Sequence, residues 1–147
     1  MSEVISSIVI NRPVENVFAV LTNVENTGKW FPADVKEWWT SPPPHGVGST
    51  RRARVKVGFM TTENDAITTV YEPPHRAGMK GTSKNAPFEA MLEFESVEGG
   101  TRVTATIEMF LRGPAKVFSG MFARWYGKSW DQGLVNLKRM MEAGSCR

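Results

Sequence analysis

The chain has 147 residues, 41% hydrophobic and 22% charged, with a formal net charge of +3. That length suits one domain with a real core, the composition excludes a disordered chain, and no apolar run approaches the ~18 residues that cross a bilayer. The weak positive charge argues against a nucleic-acid partner, because dedicated binders concentrate their basic residues on one face.

Residues 4–10 read as a strand that is apolar on both faces, which places it centrally in a sheet or under a cover. Asn11-Arg12-Pro13 then starts a helix over residues 13–21, with Asn as a nearby cap, Pro in the first turn and a Val14, Val17, Phe18, Leu21 stripe. A second short helix is expected in the polar stretch 23–29, before the bulky cluster Trp30-Phe31-Pro32. Residues 35–40 form a strand with two adjacent tryptophans. Only one of Trp38 and Trp39 can point inward, and the sequence does not say which. Prolines and glycines make residues 41–48 a loop.

Strands follow at 50–59, 62–71, 76–82, 88–97 and 102–111, joined by short turn-like separators, which predicts an antiparallel meander. In the first of these, Arg51, Ala53, Val55 and Val57 share one face, and Arg52, Arg54 and Lys56 share the other. The plain reading of that basic row is a solvated outer face; the alternative is a phosphate-binding stripe. Phe88, Ala90, Leu92 and Phe94 alternate with polar neighbours, as do Val103, Ala105, Ile107 and Met109, so the sheet is covered on one side.

A long amphipathic helix over about residues 114–143 closes the chain. Its first half carries Val117, Phe118, Met121, Phe122 and Trp125, its second Trp130, Leu134, Leu137 and Met141, and the apolar stripe rotates between them. Gly127 and Gly133 near the changeover imply a bend or a close backbone approach. The first half is expected to lid a cavity and the second to pack on the sheet and first helix; the alternative is a straight helix with a wide buried face. A terminal helix after a meander has only that sheet to bury its apolar face on, and a curved sheet gripping one helix leaves a cavity for something apolar. The chain reads as one domain, 1–147, with 143–147 as a tail.

Chemistry-bearing motifs are sparse. HExxH, GxSxG, a Walker loop and a strand-following GxGxxG are all missing, and His45 and His75 have no second ligand at metal spacing. The lone Cys146 excludes an internal disulfide and a cysteine-built metal site. Neither a metal nor a cofactor is expected. Glu63, Asp65, Thr69 and Tyr71 on one strand, with Arg51 on the strand before, could converge in a cavity, where a buried carboxylate could serve as a base; ordinary sheet-edge positions are the plainer reading. The N-terminus lacks a signal-peptide pattern, so a cytoplasmic location is the default expectation.

The stronger signal is a surplus of aromatics and methionines, of the kind that lines small-molecule pockets. Candidate ligand-binding residues are Trp30, Phe31, Trp38, Trp39, Arg51, Phe59, Tyr71, Met79, Phe88, Met109, Phe118, Met121, Phe122 and Trp125.

Several motifs together resemble one superfamily: Arg12-Pro13-Val14-Glu15-Asn16-Val17-Phe18 after the opening strand, Trp30-Phe31-Pro32, Gly46-Val47-Gly48-Ser49-Thr50-Arg51-Arg52, Tyr71-Glu72-Pro73-Pro74, Gly99-Gly100-Thr101-Arg102-Val103 and Leu137-Lys138. In order and spacing they resemble the SRPBCC (START/Bet v 1-like) superfamily, in its polyketide cyclase/dehydrase-like branch. The resemblance implies an α+β helix-grip fold: a curved seven-stranded antiparallel sheet wrapped around a long C-terminal helix, with two short helices after strand 1. It also implies an apolar cavity beneath that helix. The superfamily includes carriers of lipids and sterols, hormone sensors, quinone binders and aromatase/cyclases, and it shares no catalytic set, so no catalytic residue is carried over. Fold alone does not choose among these functions. The leading expectation is binding or carriage of a small hydrophobic molecule (lipid, polyketide or quinone-like) by a monomer or homodimer, without membrane insertion. The alternatives are a polyketide aromatase/cyclase-like enzyme, with Arg51 and Tyr71 orienting a carbonyl, and an interaction module without a ligand.

Overall fold

The computed structural model describes residues 2–57, 59–82, 87–110 and 119–143, with side chains at all of these except 2, 57, 60 and 119–123. β1 (Ser2–Ile10) leads into α1 (Val14–Thr22), a 3-10 turn (Val24–Asn26) and α2 (Thr27–Trp30). Six strands follow: β2 (Asp34–Trp39), β3 (Thr50–Val57), β4 (Met60–Glu72), β5 (Arg76–Gly81), β6 (Phe88–Val97) and β7 (Gly100–Met109). α3 (Ser119–Glu142) ends the described chain. Residues 114–118 of the expected terminal helix, Phe118 among them, lie outside the described residues, as do the side chains of Met121 and Phe122 and residues 144–147 with Cys146.

All seven strands form one antiparallel sheet in the order β1-β7-β6-β5-β4-β3-β2. The meander runs from β2 to β7, and β1 then pairs with β7, so β1 and β2 are the two edges. Of the two places its apolar faces suggested for β1, central or under a cover, the structure shows the second: β1 is an edge strand covered on its inner face. Its inner residues Val4, Ser6 and Ile10 are buried, α3 packs against it, and Ile5 on the outer face is 62% exposed.

Local chemistry explains the shorter elements. Pro13 sits just before α1 and fixes the chain direction, but makes no side-chain cap, so the expected Asn cap is not what starts this helix. Asn23 does cap the next turn, accepting from the Glu25 N–H at 3.2 Å. At the β6–β7 turn Gly100 has φ +138°, and a Cβ there would lie 2.0 Å from the Ile10 carbonyl oxygen. Only glycine allows the end of β1 to sit so close.

The core lies where α1 and α3 meet β1, β7 and β6. Ile10, Val17, Val103, Ala105 and Leu137 are fully buried there. Each large aliphatic side chain so buried contributes about 1.5–3 kcal/mol. The polar end of α3 is clasped to the β1–α1 turn. Lys138 Nζ donates to the Val9 carbonyl at 2.8 Å and to Glu142 Oε2 at 2.6 Å, while Arg12 Nη2 donates to the Glu142 carbonyl at 2.8 Å. The Lys138 hydrogen bond, then the Asn11 N–H, hold the Glu142 carboxyl below the usual range.

Both helix glycines mark close approach. A Cβ on Gly127 would touch Val4 at 3.6 Å, and one on Gly133 would meet the Trp30 ring at 3.1 Å. α2 is thereby seated directly on α3, and Asn136 Nδ2 donates to the Trp30 carbonyl at 3.0 Å.

Candidate functional site

Away from β1 and β7 the inner face of the sheet is not filled. Alternation puts Val35, Glu37 and Trp39 of β2 inward, and Arg51, Ala53 and Val55 of β3 beside them. On β4 the inward set begins Thr62, Asn64, Ala66 and Thr68. The register then shifts between Thr68 and Val70, and this bulge resets the phase so that Tyr71 is again inward. Ala77 and Met79 of β5, Phe88, Ala90 and Leu92 of β6, and Met109 of β7 complete the sheet wall. Leu21 and Thr22 of α1, Thr27 and Trp30 of α2, Phe31, and Trp125, Tyr126 and Trp130 of α3 form the opposite wall. The space between is a cavity of about 600 Å³. That is within the size range of small-molecule sites, and it is lined mainly by apolar atoms as such sites are.

Nine of the candidate residues line this cavity: Trp30, Phe31, Trp39, Arg51, Tyr71, Met79, Phe88, Met109 and Trp125. Two lie elsewhere. Trp38 faces the outer side of β2, with the Arg54 guanidinium 5.7 Å from its ring centroid. Phe59, in the turn between β3 and β4, is 98% exposed, because β3 ends at Val57 and does not carry it onto the inner face. Phe118 and the side chains of Met121 and Phe122 lie outside the described residues.

The basic row of β3 is a paired outer face. Arg52 Nε donates to Asp65 Oδ1 at 2.8 Å and Arg54 Nε to Glu63 Oε2 at 2.8 Å. Glu63 and Asp65 therefore do not converge in the cavity. The carboxylate that does, Glu37, escaped sequence reading. It shares a face with Val35 and Trp39, so its position was hidden by the ambiguity between Trp38 and Trp39. Thr68 and Tyr126 also line the cavity without having been singled out, Thr68 because the bulge was not foreseen.

The cavity has one polar wall. Glu37 Oε1 accepts from Thr27 Oγ1 at 2.7 Å, and its Oε2 stands 3.9 Å from Arg51 Nη1. That last distance makes an ion pair but no hydrogen bond. The Arg51 guanidinium also lies 5.8 Å from the Trp39 ring centroid, and the His45 ring stacks on the same indole at 3.9 Å, tilted by 12°. Burial pushes the Glu37 carboxyl up, and the Arg51 charge and Thr27 hydroxyl only partly offset this. Burial lowers the Arg51 guanidinium, with Glu37 opposing. The Tyr126 phenol is raised, chiefly by burial. Among the described residues no three His, Cys, Asp or Glu side chains gather as metal ligands do.

Known proteins resemble the chain in sequence and in this architecture. An uncharacterized protein of Mycobacterium tuberculosis is 28% identical over 133 residues, which cover 88% of this chain and 78% of that one. The crystal structure of TTHA0849 from Thermus thermophilus superposes with a TM-score of 0.81 at 16% identity, covering 98% of this chain and 99% of that one. The di-domain ARO/CYC StfQ from the steffimycin biosynthetic pathway gives a TM-score of 0.80 at 10% identity, over 97% of this chain and 51% of that one. At such identities the likeness concerns the fold. The sequence itself matches a family model, described as polyketide cyclase / dehydrase and lipid transport, over residues 1–142. With sheet order, gripping helix and cavity all in keeping, the chain belongs to the polyketide cyclase / dehydrase and lipid transport family.

Proposed function

We propose that the protein binds a small hydrophobic molecule in the cavity between the sheet and α3. The observation that carries this reading is the cavity of about 600 Å³, walled by aromatic rings on the helical side and by small residues such as Ala53, Ala66 and Ala77 on the sheet side. A protein interior is normally packed to crystal-like density, so a void of this size disfavours a role confined to folding. The family description, with its lipid-transport and polyketide branches, is consistent with such a cargo.

The test is mass spectrometry of an organic extract from the purified protein, beside that of an Ala66→Phe variant whose new ring occupies the cavity. A near-stoichiometric hydrophobic compound, lost from the variant, is the expected result. The same compound at equal amount in both would place binding elsewhere.

A second reading is favoured by one feature, the cavity-lining Glu37 with its raised carboxyl. A buried carboxyl whose proton affinity is raised is the kind of group that serves as a general base, as an aromatase/cyclase-like enzyme would need. Turnover of a flexible polyketone lost in Glu37→Gln, with binding retained, would establish it over simple carriage.

A further inference from the structure

Among the described residues that line the cavity, Glu37 is the one carboxylate, and none is a histidine, a cysteine or a lysine. Its two oxygens are not equivalent. Oε1 accepts from Thr27 Oγ1 at 2.7 Å, which anchors the carboxylate to α2. Oε2 faces Arg51 Nη1 at 3.9 Å, beyond hydrogen-bond length. Val35 and Trp39 flank the side chain on β2, Ala53 stands opposite it on β3, and the 11% of it that is exposed belongs to the cavity wall.

A base in such a place is limited in what it can do with a proton. It can take one from the occupant, but a filled apolar cavity holds little water, and the described lining residues include no second carboxylate or imidazole to relay the proton away. The proton taken goes back to the same molecule. Chemistry that needs nothing more is the movement of a proton between two carbons, and the C–H bond within reach of a carboxylate base is one α to a ketone. Tyr126 lines the opposite wall. Its phenol is raised chiefly by burial, with the Glu37 charge adding to this, so the two groups sense each other across the cavity. A neutral phenol is a donor suited to an enolate oxygen.

We propose that Glu37 catalyses allylic proton transfer in a hydrophobic β,γ-unsaturated ketone, moving its double bond into conjugation with the carbonyl group. The α C–H bond breaks, its proton passes to Glu37 Oε2 and its electron pair enters a dienolate. The same proton then forms a C–H bond at the γ carbon, the double bond settles at the α,β position, and Glu37 returns to the carboxylate. Nothing is oxidised or reduced, and no co-reactant is consumed. The negative charge only moves from carboxylate to dienolate and back, beside a constant Arg51 charge. This rests on the reading that the cavity takes a hydrophobic molecule, and it differs from ring closure in needing no flexible chain.

Two ketones that cannot cyclise test it on the full chain. Conversion of 3-cyclohexen-1-one to 2-cyclohexen-1-one is followed by ultraviolet absorbance, and α-proton exchange of 2-tetralone in deuterium oxide by NMR. Quenching of tryptophan fluorescence reports binding of each. The wild type is expected to exceed Glu37→Gln at least about hundredfold in both reactions, with both probes still bound by the variant. The wild-type rate should rise with pH through one ionisation above 4.5, the ordinary value for this carboxyl. Tyr126→Phe is expected to slow both reactions about tenfold or more.

Bound probes with equal rates in wild type and Glu37→Gln would overturn the proposal while leaving the cavity as a hydrophobic site. Exchange of 2-tetralone without isomerisation of 3-cyclohexen-1-one would overturn it too, and would assign Glu37 to another proton abstraction. If neither probe binds the wild type, the hydrophobic-binding reading fails first and this proposal falls with it. Should Glu37→Gln not fold, the wild-type pH profile decides, a flat profile or a rate no greater than that of free acetate at equal concentration being the overturning result.

Discussion

On β1, β7 and the end of β6 the inner face carries Val4, Ile10, Val103, Ile107 and Phe94, all buried. On β3, β4 and β5 the corresponding face sets the small or polar Ala53, Asn64, Ala66, Thr68 and Ala77 among the larger Arg51, Val55, Tyr71 and Met79. Both sets belong to one continuous sheet with the same in-and-out alternation, and both face helices. What differs is side-chain volume and polarity. Where bulky aliphatics meet Leu134 and Leu137 of α3, the space is core; where alanines and threonines face the rings of Trp30, Trp125 and Tyr126, it remains open. The period of a strand sets which residues face inward, and their size then decides whether the protein has a core or a pocket there.

Substitutions that treat the two halves alike should therefore give opposite results. Leu137→Ala, at a fully buried position of the packed half, is expected to lower the unfolding free energy by about 2–5 kcal/mol in urea denaturation. A loss below about 1 kcal/mol, the size expected of a site that collapses freely, would erase the distinction. Ala53→Leu adds volume in the open half. Its stability cost should stay below the ~1–3 kcal/mol typical of overpacking, because the added atoms enter existing space, while hydrophobic ligand uptake falls.

The carboxylates of the two halves titrate in opposite senses. Glu142 in the α3 clasp is held below its ordinary value by Lys138, so its contribution is present above that value and is lost as acid protonates it. Glu37 in the cavity is raised above 4.5 by burial, so the native state holds its proton more tightly than the unfolded chain does. Its contribution is full below 4.5 and is lost as pH rises through the raised native value. Unfolding curves from acid to neutral pH should show Glu37→Gln removing a decline with rising pH, and Glu142→Gln removing a decline with falling pH. The same slope in both variants would contradict the assignment. The smallest effect is expected at Phe59, outside both halves. Phe59→Ala should change stability by no more than about 0.5 kcal/mol and leave ligand affinity unaltered.

Much of this architecture was legible in the sequence because it follows from local rules. The clean alternation of β6 and β7 and their turn-like separators mark the meander, and the paired glycines of α3 mark where α2 and β1 press on it. The site was less legible, for three physical reasons. Two adjacent tryptophans concealed the phase of β2, and with it the inward position of Glu37. A bulge between Thr68 and Val70 broke the simple period of β4, so residues that look in phase, such as Asp65 and Tyr71, face opposite ways. Phe59 lies just beyond the end of β3, where aromatic character says nothing about burial. In each case the missing information was a long-range register, which pairing across strands fixes and composition does not.

The placement of the indoles has a practical consequence. The chain has five tryptophans, and Trp30, Trp39, Trp125 and Trp130 line the cavity while Trp38 lies on the outer face beneath Arg54. Intrinsic fluorescence is thus a built-in optical gauge of cavity occupancy. The Trp39 emission is modulated further by the stacked His45 ring, and Trp38 supplies a reference signal remote from the site. A Trp38→Phe variant would leave an emission spectrum that originates wholly from the cavity wall.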